Sequence, residues 1–139
     1  MIREIEFRGK RIDNGEWTFG YFYCHKGLDK HYILPIDETS FYNGIPIVPR
    51  SFSNCAINKE TLGQYTGLKD KNGTKIFEGD LLYYRNSNHD EEDGAMELIF
   101  EDGSFMISGD ILIPLHEIHS WELEVVGNIY DNPELVNGE

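Results

Sequence analysis

Basic side chains all but vanish from the second half of this 139-residue chain. Residues 1 to 75 hold 11 Lys/Arg beside 9 Asp/Glu, whereas residues 76 to 139 hold Arg85 as their one permanent cation against 16 acidic side chains. The formal net charge is −13. A surface of that kind repels phosphate, so nucleic-acid binding by the second half is disfavoured. No apolar run approaches the roughly 18 residues that span a bilayer. The opening MIREIEFRGKR alternates charged and apolar residues where an export signal would be continuously apolar. The expected setting is therefore cytoplasmic, with no membrane partner. Cysteine is scarce too: Cys24 and Cys55 lack a CxxC partner and lie in a chain without an export signal, so they read as reduced, buried small side chains.

Turn chemistry is what the chain has in quantity. Asn14-Gly15, Asn43-Gly44, Asn72-Gly73 and Asp102-Gly103 are the pairs that best satisfy positive φ at both centres of a two-residue hairpin loop. Their flanks, including EWTFGYFYC, TKIFEGDLLYY, MELIFE and SFMIS, are rich in the aromatic and β-branched residues of strands. Four hairpins and a mostly β fold are expected. In GQYTGLKDKNGTKIFEGD, residues 63 to 80, Asn72-Gly73 turns the chain, Lys69, Asp70, Lys71 and Lys75 solvate the loop, and Tyr65, Leu68, Ile76 and Phe77 supply core side chains. Gly79-Asp80 marks a bend. Glycines at 63, 67, 73 and 79 fit neither dinucleotide nor P-loop spacing, which disfavours a phosphate loop. Helical signals are short: Asn132-Pro133-Glu134-Leu135, LHEIHSW at 115 to 121, and an Asn58 cap on KETLG that Gly63 would stop after one turn.

Candidate chemistry is sparse. Asp90, Glu91, Glu92 and Asp93 are consecutive, and neighbours in a loop diverge, so they read as a solvated acidic run and an interaction surface rather than a calcium site. His116 and His119 are three apart, with Glu117 and Glu122 nearby, and would share a face on a helix but not on a strand, so surface histidines are favoured over a weak zinc site. Ser104 and Ser108 lack a nucleophile elbow, and Cys24-His25 point to opposite faces of a strand. No catalytic residue, metal site or cofactor is expected. Trp17, Phe19, Tyr21 and Tyr23 share one parity beside Arg3, Arg8, Lys10 and Arg11. That is the pattern of a stacking platform for single strands and equally of a buried sheet face; core packing is the expectation, as it is for Trp121.

Three blocks carry a family likeness. QYTGLKDKNGTKIFEGD at 64 to 80, REIEFRGKRIDNGEWTFGYF at 3 to 22 and WELEVVGNIYDNPELV at 121 to 136, with FEDGSF at 100 to 105, resemble the YopX-like proteins of bacteriophages and prophages. The resemblance covers a little under half of the chain and leaves out residues 23 to 59 and 86 to 95. It implies a small, mostly β protein with an N-terminal β lobe over about residues 1–60, and a C-terminal lobe over about 61–139 similar to an SH3-like barrel. It further implies a homo-oligomer in a bacterial host cell and no enzymatic activity. The functional expectation is a phage or prophage accessory protein acting through protein-protein contact with a phage or host protein. The alternatives are an acidic decoy for a host nucleic-acid-binding or defence protein, and a single-strand binder.

Overall fold

The structure, a computed structural model, describes residues 3–35, 41–42, 45–46, 55–84, 95–109 and 112–136. The chain is mostly β. Its strands are β1 (Phe7–Arg11), β2 (Trp17–His25), β3 (Lys30–Pro35), β4 (Phe41–Tyr42), β5 (Ile45–Pro46), β6 (Ile57–Lys69), β7 (Lys75–Phe77), β8 (Asp80–Tyr84), β9 (Met96–Glu101), β10 (Ser104–Ser108), β11 (Leu112–Pro114) and β12 (Leu123–Asn128). They form two five-stranded antiparallel sheets, β3-β2-β1-β6-β7 and β11-β10-β9-β8-β12, and a β4-β5 ribbon. Among the described residues there is no α-helix; the helical turns are 3-10, at Leu115–Glu117, Ser120–Glu122 and Pro133–Leu135. Two compact units divide the chain, Met1–Gln64 and Tyr65–Glu139. β6 is long enough to serve both.

In the first unit the sheet is tightly curled. Ile12 N–H donates to the Ala56 carbonyl at 3.0 Å, extending the β1-β6 ladder, while Ala56 also bridges Tyr32 of β3. The start of β6 therefore lies between strands β1 and β3. Ile33, Ile57 and Cys55 are buried inside the curl, and Phe22 packs near Phe7 with ring centroids 5.6 Å apart. Cys24 is only half-buried, so the expectation of two buried thiols holds for Cys55 alone. Asn58 starts no helix. Its side-chain oxygen accepts from Glu60 N–H at 3.1 Å and its carbonyl from the Thr61 hydroxyl at 2.6 Å, a local turn that raises a bulge inside β6 between the Arg8 and Lys10 pairings.

The second unit has its own core of Ile76, Leu82, Met96, Leu98, Ile107, Leu115, Ile118 and Leu123. Its sheet is open, with β11 and β12 at the edges, so the barrel-like lobe implied by the resemblance takes the form of an unclosed sheet. Trp121 belongs to no core: it is 66% exposed, stacked on His119.

Each described turn solves the reversal differently. Asp102 (φ 53) and Gly103 (φ 78) both take positive φ, and Glu101 pairs Ser104, the two-residue loop that mirror-image turns require. At Asn72-Gly73 the loop holds three residues: Gly73 N–H donates to the Asp70 carbonyl at 3.0 Å, and only Gly73 (φ 81) is left-handed. Around Asn14-Gly15 the loop is longer still, closed by Gly15 N–H to the Arg11 carbonyl at 2.9 Å, with Gly15 at φ 72. The pair Asn43 and Gly44 lies outside the described residues, although β4 and β5 pair antiparallel on either side, Tyr42 opposite Ile45.

Candidate functional site

Within the run GQYTGLKDKNGTKIFEGD the polar residues do the shaping. Asp70 is 6% exposed. Its Oδ1 accepts from the N–H groups of Asn72 and Thr74, both at 2.9 Å, and its Oδ2 from Val125 N–H at 2.9 Å. One carboxylate thus closes the loop and ties it to β12, so Asp70 does not solvate the loop as the sequence suggested. Lys71 reinforces the tie through its N–H to the Leu123 carbonyl at 3.0 Å and an ion pair with Glu124 at 3.3 Å. Asp80, 2% exposed, accepts from Phe77 N–H at 2.7 Å. Gly79 (φ 88) reaches both ways, donating to the Leu98 carbonyl and accepting from Ile129 N–H. Tyr65, Ile76 and Phe77 are buried, but Leu68 is 37% exposed, carried outward by the β-bulge at Gly67 (φ 90).

The outward face of β2 is a different kind of surface. Burial alternates along the strand, and the odd positions are the exposed ones: Phe19 at 42%, Tyr21 at 59% and Tyr23 at 47%. The expected burial of this stripe is therefore reversed. Trp17 is half-buried, with the Arg8 guanidinium carbon 4.7 Å and the Lys10 ammonium 5.3 Å from its ring centre. Tyr32 of β3 adds a fifth ring 6.1 Å from Tyr23. β2 is hydrogen-bonded on both sides, by β1 and β3, so these rings sit on a rigid floor.

Asp90, Glu91, Glu92 and Asp93 lie outside the described residues. Among the described residues no cluster of three His, Cys, Asp or Glu is arranged to hold a metal ion. His116 and His119 are exposed, the first 4.0 Å from Glu117 and the second stacked on Trp121. No described helix is long and apolar enough to cross a membrane.

Residues 6–137 match the YopX protein family. The chain belongs to that family. Two solved structures share its fold. Protein EF1440 from Enterococcus faecalis is 24% identical with a TM-score of 0.59, the match covering 97% of this chain and 99% of that one. Protein yopX from Bacillus subtilis is 17% identical with a TM-score of 0.56, covering 99% of both. No curated protein matches. At these identities the likeness is one of architecture. The glycines and aspartates of the signature run form bulges, turns and buried backbone bonds, so what the likeness carries here is fold.

Proposed function

We propose that this YopX-family member is a non-enzymatic accessory protein of a phage or prophage that works by protein-protein contact, using the outward face of β2 as its contact surface. The observation that supports this reading is the row Phe19, Tyr21 and Tyr23, three large rings exposed side by side on a strand held from both sides. Contiguous exposed apolar surface of this kind marks interaction sites, and tyrosine contributes contact area at low entropic cost. A protein fits better than a nucleic-acid strand. The first unit balances eight Lys/Arg against eight Asp/Glu, and Arg8 is buried against Trp17, so the face lacks the file of free cations that phosphate binding rests on.

The partner we assign first is a second copy of the chain. The second unit holds four Lys/Arg against 17 Asp/Glu, a field that steers the balanced first unit of another copy in one orientation. Light scattering on the eluted protein at two salt concentrations tests it. The wild type should run as an oligomer and Tyr21→Ser/Tyr23→Ser as a folded monomer with the same far-ultraviolet circular dichroism spectrum. A wild type that stays monomeric at every concentration refutes the self-contact.

The charge of the second unit favours one further reading, an acidic decoy that occupies a host nucleic-acid-binding or defence protein. Capture from host lysate followed by DNA competition distinguishes it: partners released by DNA support the decoy, and partners indifferent to DNA refute it. A mobility shift with single-stranded DNA at about 50 mM salt, where phosphate contacts are strongest, would instead restore the nucleic-acid reading.

A further inference from the structure

We infer that the first unit binds a small phosphate-bearing anion in a cleft where the end of β1, the start of β3 and the start of β6 converge. The cleft encloses about 540 Å³, within the roughly 300–1,000 Å³ of small-molecule sites. The curl of the sheet creates it, since Ala56 bonds both Ile12 and Tyr32 and so draws residues 29–31 towards residues 10–12. Four permanent cations line it, Lys10, Arg11, Lys30 and Lys59, together with His31. The lining carboxylate is Asp29 alone, and Asp13 on the adjoining loop pairs with Arg11. The Lys10 ammonium lies over the Trp17 ring, so the other three cations, counted against both acids, leave the cleft an excess of one positive charge before His31 contributes.

The way these charges are satisfied singles out an anion as the missing partner. Lys30 makes no ion pair among the described residues. Lys59 reaches Asp29 at 3.0 Å with both side chains largely exposed, and pairs of that kind are worth under about 1 kcal/mol, so a better anion can displace the carboxylate. Asp29 itself holds a left-handed φ of 49, a conformation that costs a non-glycine residue energy and gathers at working sites. Its carboxyl is lowered from the ordinary value of 3.8, first by the hydrogen bond from Lys59, then by that ammonium's charge and to a smaller extent by His31. Arginine supplies the planar fork suited to phosphate and the lysines supply point charge. The cleft is sized for a mononucleotide or free phosphate, while the charge balance of the surrounding unit offers a polymer no continuing track.

Amide shifts of the isotope-labelled full chain, followed through titration with inorganic phosphate, with adenosine diphosphate and with sodium chloride at matched ionic strength, test the inference. Saturable shifts at Arg11, Lys30 and Lys59 with phosphate or the nucleotide are expected, and the tighter of the two identifies the source of the phosphate. Lys30→Gln should weaken binding about tenfold, whereas Asp29→Asn, which removes the internal competitor, should tighten it about threefold. Shifts that merely follow ionic strength overturn the proposal. So does Asp29→Asn weakening the binding, since the carboxylate would then be scaffolding and not a competitor.

Discussion

Asp70 is the most severe test of the reading that the signature run is architecture. Its carboxylate accepts three backbone N–H bonds, each 2.9 Å long, and is almost fully enclosed. Hydrogen bonds to a charged group are worth about 1.5–3 kcal/mol each, but the three do not simply add. Asn72 and Thr74 share one oxygen, and both lie in an exposed loop where water replaces a lost acceptor. Val125 is half-buried and has no such substitute. Asp70→Ala should therefore cost about 3 kcal/mol. Asp70→Asn keeps one oxygen for the loop and turns its amide donor towards Val125 N–H, two donors face to face, for about 2 kcal/mol. In a chain of this length those losses lower the melting temperature by roughly 9 and 6 °C. Urea unfolding followed by tryptophan fluorescence and far-ultraviolet circular dichroism reads them directly. A solvating side chain would give changes within about 0.5 kcal/mol for both variants, and that result would refute the argument.

Other positions separate the remaining claims. Gly20→Ala should destabilise the first unit by about 3 kcal/mol, because an added Cβ meets the Leu34 carbonyl oxygen of the neighbouring strand; unchanged melting would mean β2 and β3 are not paired as described. Trp121→Ala should cost less than about 1 kcal/mol, since the ring is largely in water, and a loss of core size would place the indole inside. Gly73→Val should cost more than about 1 kcal/mol through backbone strain alone, there being open space around the added atoms. Burial raises the Glu97 carboxyl above its ordinary value of 4.5, so the folded chain holds that proton more tightly than the unfolded chain. The ionised form therefore subtracts stability at neutral pH, and the deficit fades as the pH falls to 4.5. Glu97→Gln should accordingly gain less than about 1 kcal/mol at neutral pH and nothing near pH ~4; a loss at neutral pH would refute it.

Local chemistry made the strands and their reversals readable. Asp and Asn before Gly, with aromatic and β-branched residues on both sides, announce antiparallel hairpins wherever the chain goes next. Loop length was less readable, because it depends on what else closes the turn: at Asn72-Gly73 the Asp70 side chain takes over two N–H groups and admits a third loop residue. The same long-range bond to Val125, 55 positions away, is why a charged residue in a lysine-rich loop proved to be buried. Nothing near Asp70 in sequence signals that partner. The cationic cleft was hidden for a similar reason, its lysines and arginine coming from β1, β3 and β6, which meet only once the sheet curls.

The reversal along β2 has a cause that the sequence did contain. Alternation tells which side chains share a face but not which face looks inward, and large rings invite the guess that they do. Thr18, Gly20, Phe22 and Cys24 occupy the other face. Across the curl Gly9 is so close to Ile57 that a Cβ there would stand 2.6 Å from the Ile57 Cδ1 atom, and Gly20 is equally hemmed in by β3. Glycines on neighbouring strands, on one side, mark where backbones approach and the sheet bends sharply. The concave side of so tight a bend has room for Ile33, Ile57 and Phe22 and little more. Four further rings of about 150–250 Å² each cannot enter it, so the small-residue face had to be the inner one and the aromatic face the outer. Restoring bulk inside is then the decisive contrast with removing it outside: Gly9→Val should unfold the first unit, whereas Tyr21→Ser should leave it folded, and the reverse pattern would turn the sheet, and the contact surface with it, inside out.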